Sequence, residues 1–202
     1  MTYLYVVAGS MSDPELFAEA GETWAGERFL EMGALSATAN QVIMGGEMAG
    51  TVLVAFETET ADGAMNLNAA IYGDNEMVKL ITDAGVQVGR RSLMRTQAEF
   101  GTRTGPYSTT LYMAGPPIAD DAAQANFAHA WTNIEPGANG MTALQLVAGG
   151  ASPFSAVAVT WADSIDDLLA ASAKNFADPA TQEMMASAGS TVLGRVISRR
   201  LF

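Results

Sequence analysis

Arginines are the residues whose positions point most directly to chemistry in this sequence. Six of the ten basic residues fall in two segments, which we predict to be the final strands of two similar halves. Arg90 and Arg195 each follow a glycine at the start of their segment, and we predict that they occupy matching positions in the two halves. A guanidinium is planar and always charged, so it can anchor a carboxylate or an enolate. The alternative is a structural role, in which these arginines pair with acids where strand edges meet.

Aromatic residues form a second candidate set. Trp24 and Trp131 lie on the apolar stripes of two corresponding predicted helices, and Tyr72 lies near a helix break that Phe176 matches in the second half. Aromatic stripes at helical spacing usually belong to the core, but they can also form the wall of a pocket for a flat ligand. With the arginines they give the candidate substrate-binding residues, which are Trp24, Tyr72, Arg90, Trp131 and Arg195. No catalytic residue is marked by its context.

His129 is the only histidine, and there is no cysteine. Disulfides, thiolate ligands and all-imidazole metal sites are therefore excluded. On its helix His129 points away from Phe127 and Trp131, so we expect it in solvent, and haem binding through it ranks last among the functions considered. Glycine pairs lie between predicted strands and open no helix, which gives no support for nucleotide binding. We expect neither a cofactor nor a metal.

An internal repeat determines how these residues are arranged. The segment Thr38–Gly85 aligns without a gap onto Thr142–Gly189 at an offset of 104 residues, with ten identities in 48 positions. The shared glycines and aspartates fall at predicted turns and helix starts. A repeat of this length indicates one folding unit used twice.

Each half has the predicted order strand, helix, strand, strand, helix, strand, which is typical of a ferredoxin-like βαββαβ unit. We predict a first repeat over residues 1–100, a linker over 101–106 and a second repeat over 107–202. One such unit leaves a sheet face and two edges uncovered. Pairing the two sheets edge to edge solves both problems, so the fold class is α+β, with two tandem repeats closing into an intramolecular barrel with helices outside.

On this element order and repeat, the chain resembles the dimeric α+β barrel superfamily in its tandem form, and NIPSNAP-like proteins within it. The resemblance covers nearly the whole chain but includes no catalytic motif. It implies a pocket between each sheet and its helices. The superfamily includes cofactor-free antibiotic-biosynthesis monooxygenases, haem-binding chlorite-dismutase-like enzymes and muconolactone isomerases, so the fold does not select the chemistry.

The amino-acid composition of the chain limits the classes of partner that it is expected to bind. The formal charge of −12 argues against nucleic acid and anionic membranes, and no apolar stretch is long enough to span a bilayer. We expect a cytoplasmic protein that binds a small apolar or aromatic molecule, either as a cofactor-free monooxygenase or isomerase or, alternatively, as a non-catalytic binding or assembly module. Self-association would use the outer helices.

Overall fold

The computed structural model describes all 202 residues, and its strands form one closed antiparallel barrel. The hydrogen-bonded order is β1-β3-β2-β8-β5-β7-β6-β4, and the predicted α+β barrel class is confirmed. The strands are β1 Tyr3–Ser10, β2 Ser36–Met44, β3 Val52–Thr58, β4 Gln87–Gly101, β5 Tyr107–Ala114, β6 Gly140–Ala148, β7 Ala156–Ala162 and β8 Thr191–Arg200.

Seven α-helices connect the strands, and most begin at a polar cap. They are α1 Pro14–Ala20, α2 Gly26–Glu31, α3 Ala61–Gly73, α4 Asn75–Asp83, α5 Asp120–Ile134, α6 Ile165–Ala177 and α7 Pro179–Ser187. A π-helical turn, Gly21–Ala25, joins α1 to α2. Asp74 and Asp178 cap α4 and α7 through their side chains, so both predicted helix breaks are present. No helix has both the length and the apolar composition that a membrane crossing requires.

The repeat extends beyond the segment that the sequence alignment detected. Adding 104 to the bounds of β1, β2, β3, α3 and α4 gives the bounds of β5, β6, β7, α6 and α7. After α4 and α7, Gly85 and Gly189 both have a φ of 61°, a left-handed conformation that favours glycine at a helix end. The first helix of each half breaks the pattern, because only the first half contains the π-helical turn. Residues 102–106 lie between β4 and β5, and their role as a domain boundary stays a prediction.

Two compact units make up the chain. Unit 1 comprises residues 1–95, 147–150 and 199–202, and unit 2 comprises residues 96–146 and 151–198. In unit 1, α3 packs against β1 and β3 over a dense aromatic core. The Phe56 ring lies 5.9 Å from that of Tyr5 and 4.8 Å from that of Phe29. In unit 2, α5 packs on α6 and α7, and a cavity takes the place of the aromatic core.

Candidate functional site

The unit 2 cavity is a space of about 130 Å³ between the strands β5, β6 and β7 and the helices α5, α6 and α7. Its floor follows the register of the sheet, in which Thr109 is opposite Thr160 and Thr160 is opposite Met141. Side chains alternate between the two faces of a strand, so these three residues share the face that the helices cover. The end of the cavity near Pro116 and Pro117 is exposed, whereas the end near Thr160 is buried.

A comparison between the two units explains why the cavity exists. At the offset of 104, Thr109 corresponds to Tyr5 and Thr160 corresponds to Phe56. The stacked rings of Tyr5 and Phe56 fill the space in unit 1, where a cavity of only about 50 Å³ remains. Two threonines cannot fill the volume of two aromatic rings, and packed interiors do not collapse completely around such a loss. The cavity therefore follows directly from residue type at two matched positions.

The helical wall of the cavity also has polar residues where the matching helices of unit 1 have apolar ones. Asn175 and Thr181 stand where unit 1 has Ile71 and Met77, and they are 8% and 5% exposed. The Thr181 hydroxyl lies 3.1 Å from Asn175 Oδ1. Asn133 also approaches this oxygen, whereas Asn175 Nδ2 makes no hydrogen bond to the protein, and Asn175 lines the cavity. Unit 2 has thus exchanged apolar side chains for polar ones on both the sheet and the helices.

Behind this wall, a hydrogen-bonded chain leads from Thr181 to solvent. The Thr181 hydroxyl lies 3.0 Å from Asp178 Oδ2, and the Thr181 amide donates to the same oxygen at 2.9 Å. That oxygen is 2.7 Å from His129 Nε2. The hydrogen bond with His129, followed by the Thr181 amide, lowers the pKa of Asp178. His129, expected in solvent, is 38% exposed, and its ring is held by this contact with Asp178.

No ionisable side chain lines the unit 2 cavity. The polar groups on its wall are hydroxyls and amides, and the remainder is aliphatic, thioether or phenyl surface. Such a wall can hydrogen-bond a neutral ligand but offers neither a counter-ion nor a general base. The arrangement suits the binding of an uncharged molecule.

Arg195, one of the predicted binding residues, lies next to the cavity without lining it. Its guanidinium donates through Nη2 to Ser172 Oγ and lies 5.9 Å from the centre of the Phe176 ring. Both of these neighbours belong to the cavity wall. Burial lowers the pKa of Arg195, and no carboxylate pairs with it. Arg195 therefore supports the wall from behind, and direct contact with a ligand stays a prediction.

The matching arginine in unit 1 is Arg91 and not Arg90. β4 begins at Gln87 and β8 at Thr191, so the offset of 104 places Arg91 opposite Arg195. The sequence-based match of Arg90 with Arg195 is corrected by this register. Arg90 instead donates through Nε to Ser92 Oγ at 3.1 Å, and as the neighbour of Arg91 it points to the other strand face.

Arg91 forms a polar cluster in an open cleft of unit 1 with Tyr5, Asn68 and Tyr72. It donates to Tyr5 Oη at 3.1 Å and to Tyr72 Oη at 2.8 Å, and its guanidinium lies 5.5 Å from the Tyr72 ring centre. The Tyr5 hydroxyl donates to Asn68 Oδ1 at 2.7 Å. Burial raises the pKa of Tyr5 and outweighs the opposing effect of Arg91. Of the predicted binding residues, Tyr72 alone lines this cleft.

The two tryptophans predicted to bind a ligand are packing residues in this structure. Trp24, on the π-helical turn, packs against the core of unit 1. Trp131 packs against Ile134 and Leu168 and stacks on Phe100 at a centroid distance of 6.2 Å. Neither lines the cavity of its unit, so their roles in ligand binding stay predictions.

Haem does not fit the residues present in unit 2. An axial histidine must face the bound group, but His129 does not line the cavity and its Nε2 is engaged with Asp178. No group of three or more aspartate, glutamate or histidine side chains converges to hold a metal ion.

Solved structures with the same architecture cover nearly the whole chain. An anthrone oxidase-like protein is 14% identical, with a TM-score of 0.63 over 98% of this chain and 91% of its own. A candidate monooxygenase of Lactobacillus acidophilus is 10% identical, with a TM-score of 0.61 over 100% of this chain and 95% of its own.

A chlorite dismutase of Candidatus Nitrospira defluvii is 7% identical, with a TM-score of 0.61 over 98% of this chain and 90% of its own. The chain has the fold of the dimeric α+β barrel proteins. At these identities the similarity extends to the fold alone. No protein-family model and no curated protein sequence matches the chain.

Sequence reasoning missed Thr109, Thr160, Asn175 and Thr181, which build the polar wall of the cavity. Three of them lie inside the aligned repeat. There Thr160, Asn175 and Thr181 align with Phe56, Ile71 and Met77 of the first half. Loss of bulk at matched core positions indicates a cavity in the half that has the smaller residues. The tyrosine at position 5 and Thr109 lie outside the detected alignment, so that pair needed the structure.

Proposed function

We propose that the unit 2 cavity binds a small, neutral, mostly apolar molecule about the size of a single ring. Its volume of about 130 Å³ supports this size. An engineered protein cavity of about 150 Å³ takes up benzene, whereas typical drug-sized pockets exceed about 300 Å³. A fused three-ring molecule would need the wall to move.

The observation that carries the proposal is a cavity wall with hydroxyl and amide groups but without any charge. Removing an ion from water without a partner is far more costly than removing a neutral molecule. The aliphatic and thioether side chains give favourable contacts to an apolar ligand, and the methionines Met141, Met184 and Met185 adapt to its shape.

Titration of the full chain with benzene and toluene, followed by amide chemical shifts, tests this proposal. We expect saturable shifts of unit 2 amides such as those of Leu168 and Phe176. Thr160→Phe places the unit 1 residue at the matched position and should abolish the shifts. Thr191→Phe is the control, since Thr191 is an exposed strand threonine outside the cavity wall. Absence of saturable binding, or unchanged binding in Thr160→Phe, would overturn the proposal.

A second candidate function, oxidation of a small substrate by O2, is favoured by the cluster around Arg91 in unit 1. Its guanidinium and the Tyr5 and Tyr72 hydroxyls could stabilise an enolate oxygen formed at the open cleft. Solved structures that share the fold include an anthrone oxidase-like protein and a candidate monooxygenase. In the corresponding reaction, a CH2 group and O2 give C=O and H2O, the substrate supplying all four electrons and both hydrogens.

Oxygen uptake with anthrone as the probe tests this second candidate. Turnover should be lost in Arg91→Gln and retained in Arg95→Gln, because Arg95 lies outside the cleft. Uptake no faster than that of the uncatalysed reaction would exclude anthrone oxidation at this site. Four further expectations stay predictions: isomerase activity, membership of the NIPSNAP-like family, a cytoplasmic location and self-association through the outer helices.

A further inference from the structure

The floor of the unit 2 cavity carries two hydroxyls that the protein leaves without partners. Thr109 and Thr160 are 4% and 5% exposed, and neither side chain hydrogen-bonds to another residue. Buried hydroxyls in proteins are usually hydrogen-bonded, because an unmet hydrogen bond is costly in a dry environment. Two unmet hydroxyls on one cavity floor therefore point to a group that arrives from outside the protein.

The sheet places these two hydroxyls at a defined spacing. Thr109 and Thr160 are directly opposed in the antiparallel ladder of β5 and β7. The Cβ atoms of opposed residues are about 5 Å apart and lie on the same face, so one ligand oxygen can sit between the two hydroxyls. A threonine hydroxyl both donates and accepts. A ligand hydroxyl can thus accept from one threonine and donate to the other, and a carbonyl oxygen can accept from both.

Unit 1 provides an internal comparison. Tyr5 and Phe56 occupy the matched positions, and their rings stack at 5.9 Å, leaving no hydroxyl on this part of the floor. The Tyr5 hydroxyl instead donates to Asn68. The hydroxyl pair is therefore not a requirement of the fold but a property of the half that has the larger cavity.

We propose that Thr109 and Thr160 hold the single uncharged oxygen of a hydroxyl- or carbonyl-bearing ligand, so that the cavity selects small phenols, alcohols or ketones over hydrocarbons. This inference rests on the proposed binding function. The absence of charged side chains on the wall excludes carboxylates of the same size.

Titrations of the full chain with phenol, benzene and benzoate at pH 7 test the selectivity. We expect phenol to bind at least about five-fold more tightly than benzene, from the ordinary net strength of a hydrogen bond, and benzoate not to bind. Thr109→Val and Thr160→Val keep the side-chain shape and the β-propensity. Each should reduce phenol affinity about five-fold and leave benzene affinity unchanged, which also shows that the cavity is intact.

Thr110→Val is the matched control, since Thr110 is a buried neighbour on the same strand but points to the opposite face. It should leave the ratio of phenol to benzene affinity unchanged. Equal affinity for phenol and benzene in the unaltered protein would overturn the hydroxyl assignment while leaving the cavity function intact. Binding of benzoate more tightly than phenol would overturn the assignment to an uncharged oxygen. Failure of all three probes to bind would overturn the cavity function as well.

Discussion

Thr160→Phe should make the protein more stable while it removes ligand binding. The change copies Phe56 from the matched position of unit 1, where the remaining cavity is about 50 Å³ compared with about 130 Å³ in unit 2. Empty volume costs about 24 cal/mol per Å³ in buried protein sites. Closing the difference of about 80 Å³ would therefore stabilise the fold by about 2 kcal/mol. Since other matched residues also contribute to that difference, about 2 kcal/mol is an upper value.

Urea denaturation and thermal melting in the absence of ligand measure this effect. For a chain of 202 residues, 2 kcal/mol corresponds to a rise in Tm of about 4–8 °C. The Thr191→Phe control should leave Tm nearly unchanged, because that side chain stays in solvent. A loss of more than about 1 kcal/mol in Thr160→Phe would mean that the floor has no room for a ring. That result would refute the stabilisation expected from filling the cavity, even if benzene binding were also lost.

Three further predictions concern packing and protonation. Phe56→Ala should destabilise the protein by about 3–5 kcal/mol in urea denaturation, and it should create a benzene site in unit 1. Asp178→Asn should remove stability at neutral pH, with the difference from the unaltered protein vanishing at low pH in urea denaturation. The reason is that a lowered carboxyl pKa contributes stability above the ordinary value of about 3.9, which is lost as pH falls through the folded value. In a 295 nm titration, Tyr5 should ionise above the usual value of about 10, a late phase that Tyr5→Phe removes. Because the neutral phenol is favoured, its contribution to stability is present below pH 10 and is lost as pH rises through the folded pKa.

The fold was predictable because the internal repeat, the turns and the helix caps can each be recognised from short stretches of sequence. Asp74 and Asp178 indicate a helix break at the same position of each half. Gly85 and Gly189 end the helices that follow. The π-helical turn at Gly21–Ala25 was not predictable, because its residues also satisfy an ordinary helical pattern.

The site was less predictable because sequence patterns report which residues are apolar and not how completely they fill space. Trp24 and Trp131 are of a residue type expected in a pocket wall, yet both are packing residues. Arg90 and Arg91 are adjacent, and the strand bounds confirm that the repeat offset of 104, continued a few residues beyond Gly85, pairs Arg91 and not Arg90 with Arg195. Hydroxyls such as that of Thr160 give no signal alone. They become informative only beside the aromatic residue at the matched position.

The two copies of the repeat share one polar contact but differ in how completely their cores are filled. In both, a side chain from a helix between the first two strands of the half contacts the aspartate that caps the last helix. Arg28 of α2 pairs with Asp74, and His129 of α5 lies within hydrogen-bond distance of Asp178. Unit 1 combines this contact with a filled aromatic core. Unit 2 keeps the contact but replaces the adjoining apolar residues with polar ones around a cavity. A duplicated fold can tolerate such a costly cavity in one copy when binding compensates for the lost packing. For this reason we expect a binding function in unit 2, the copy with the larger cavity.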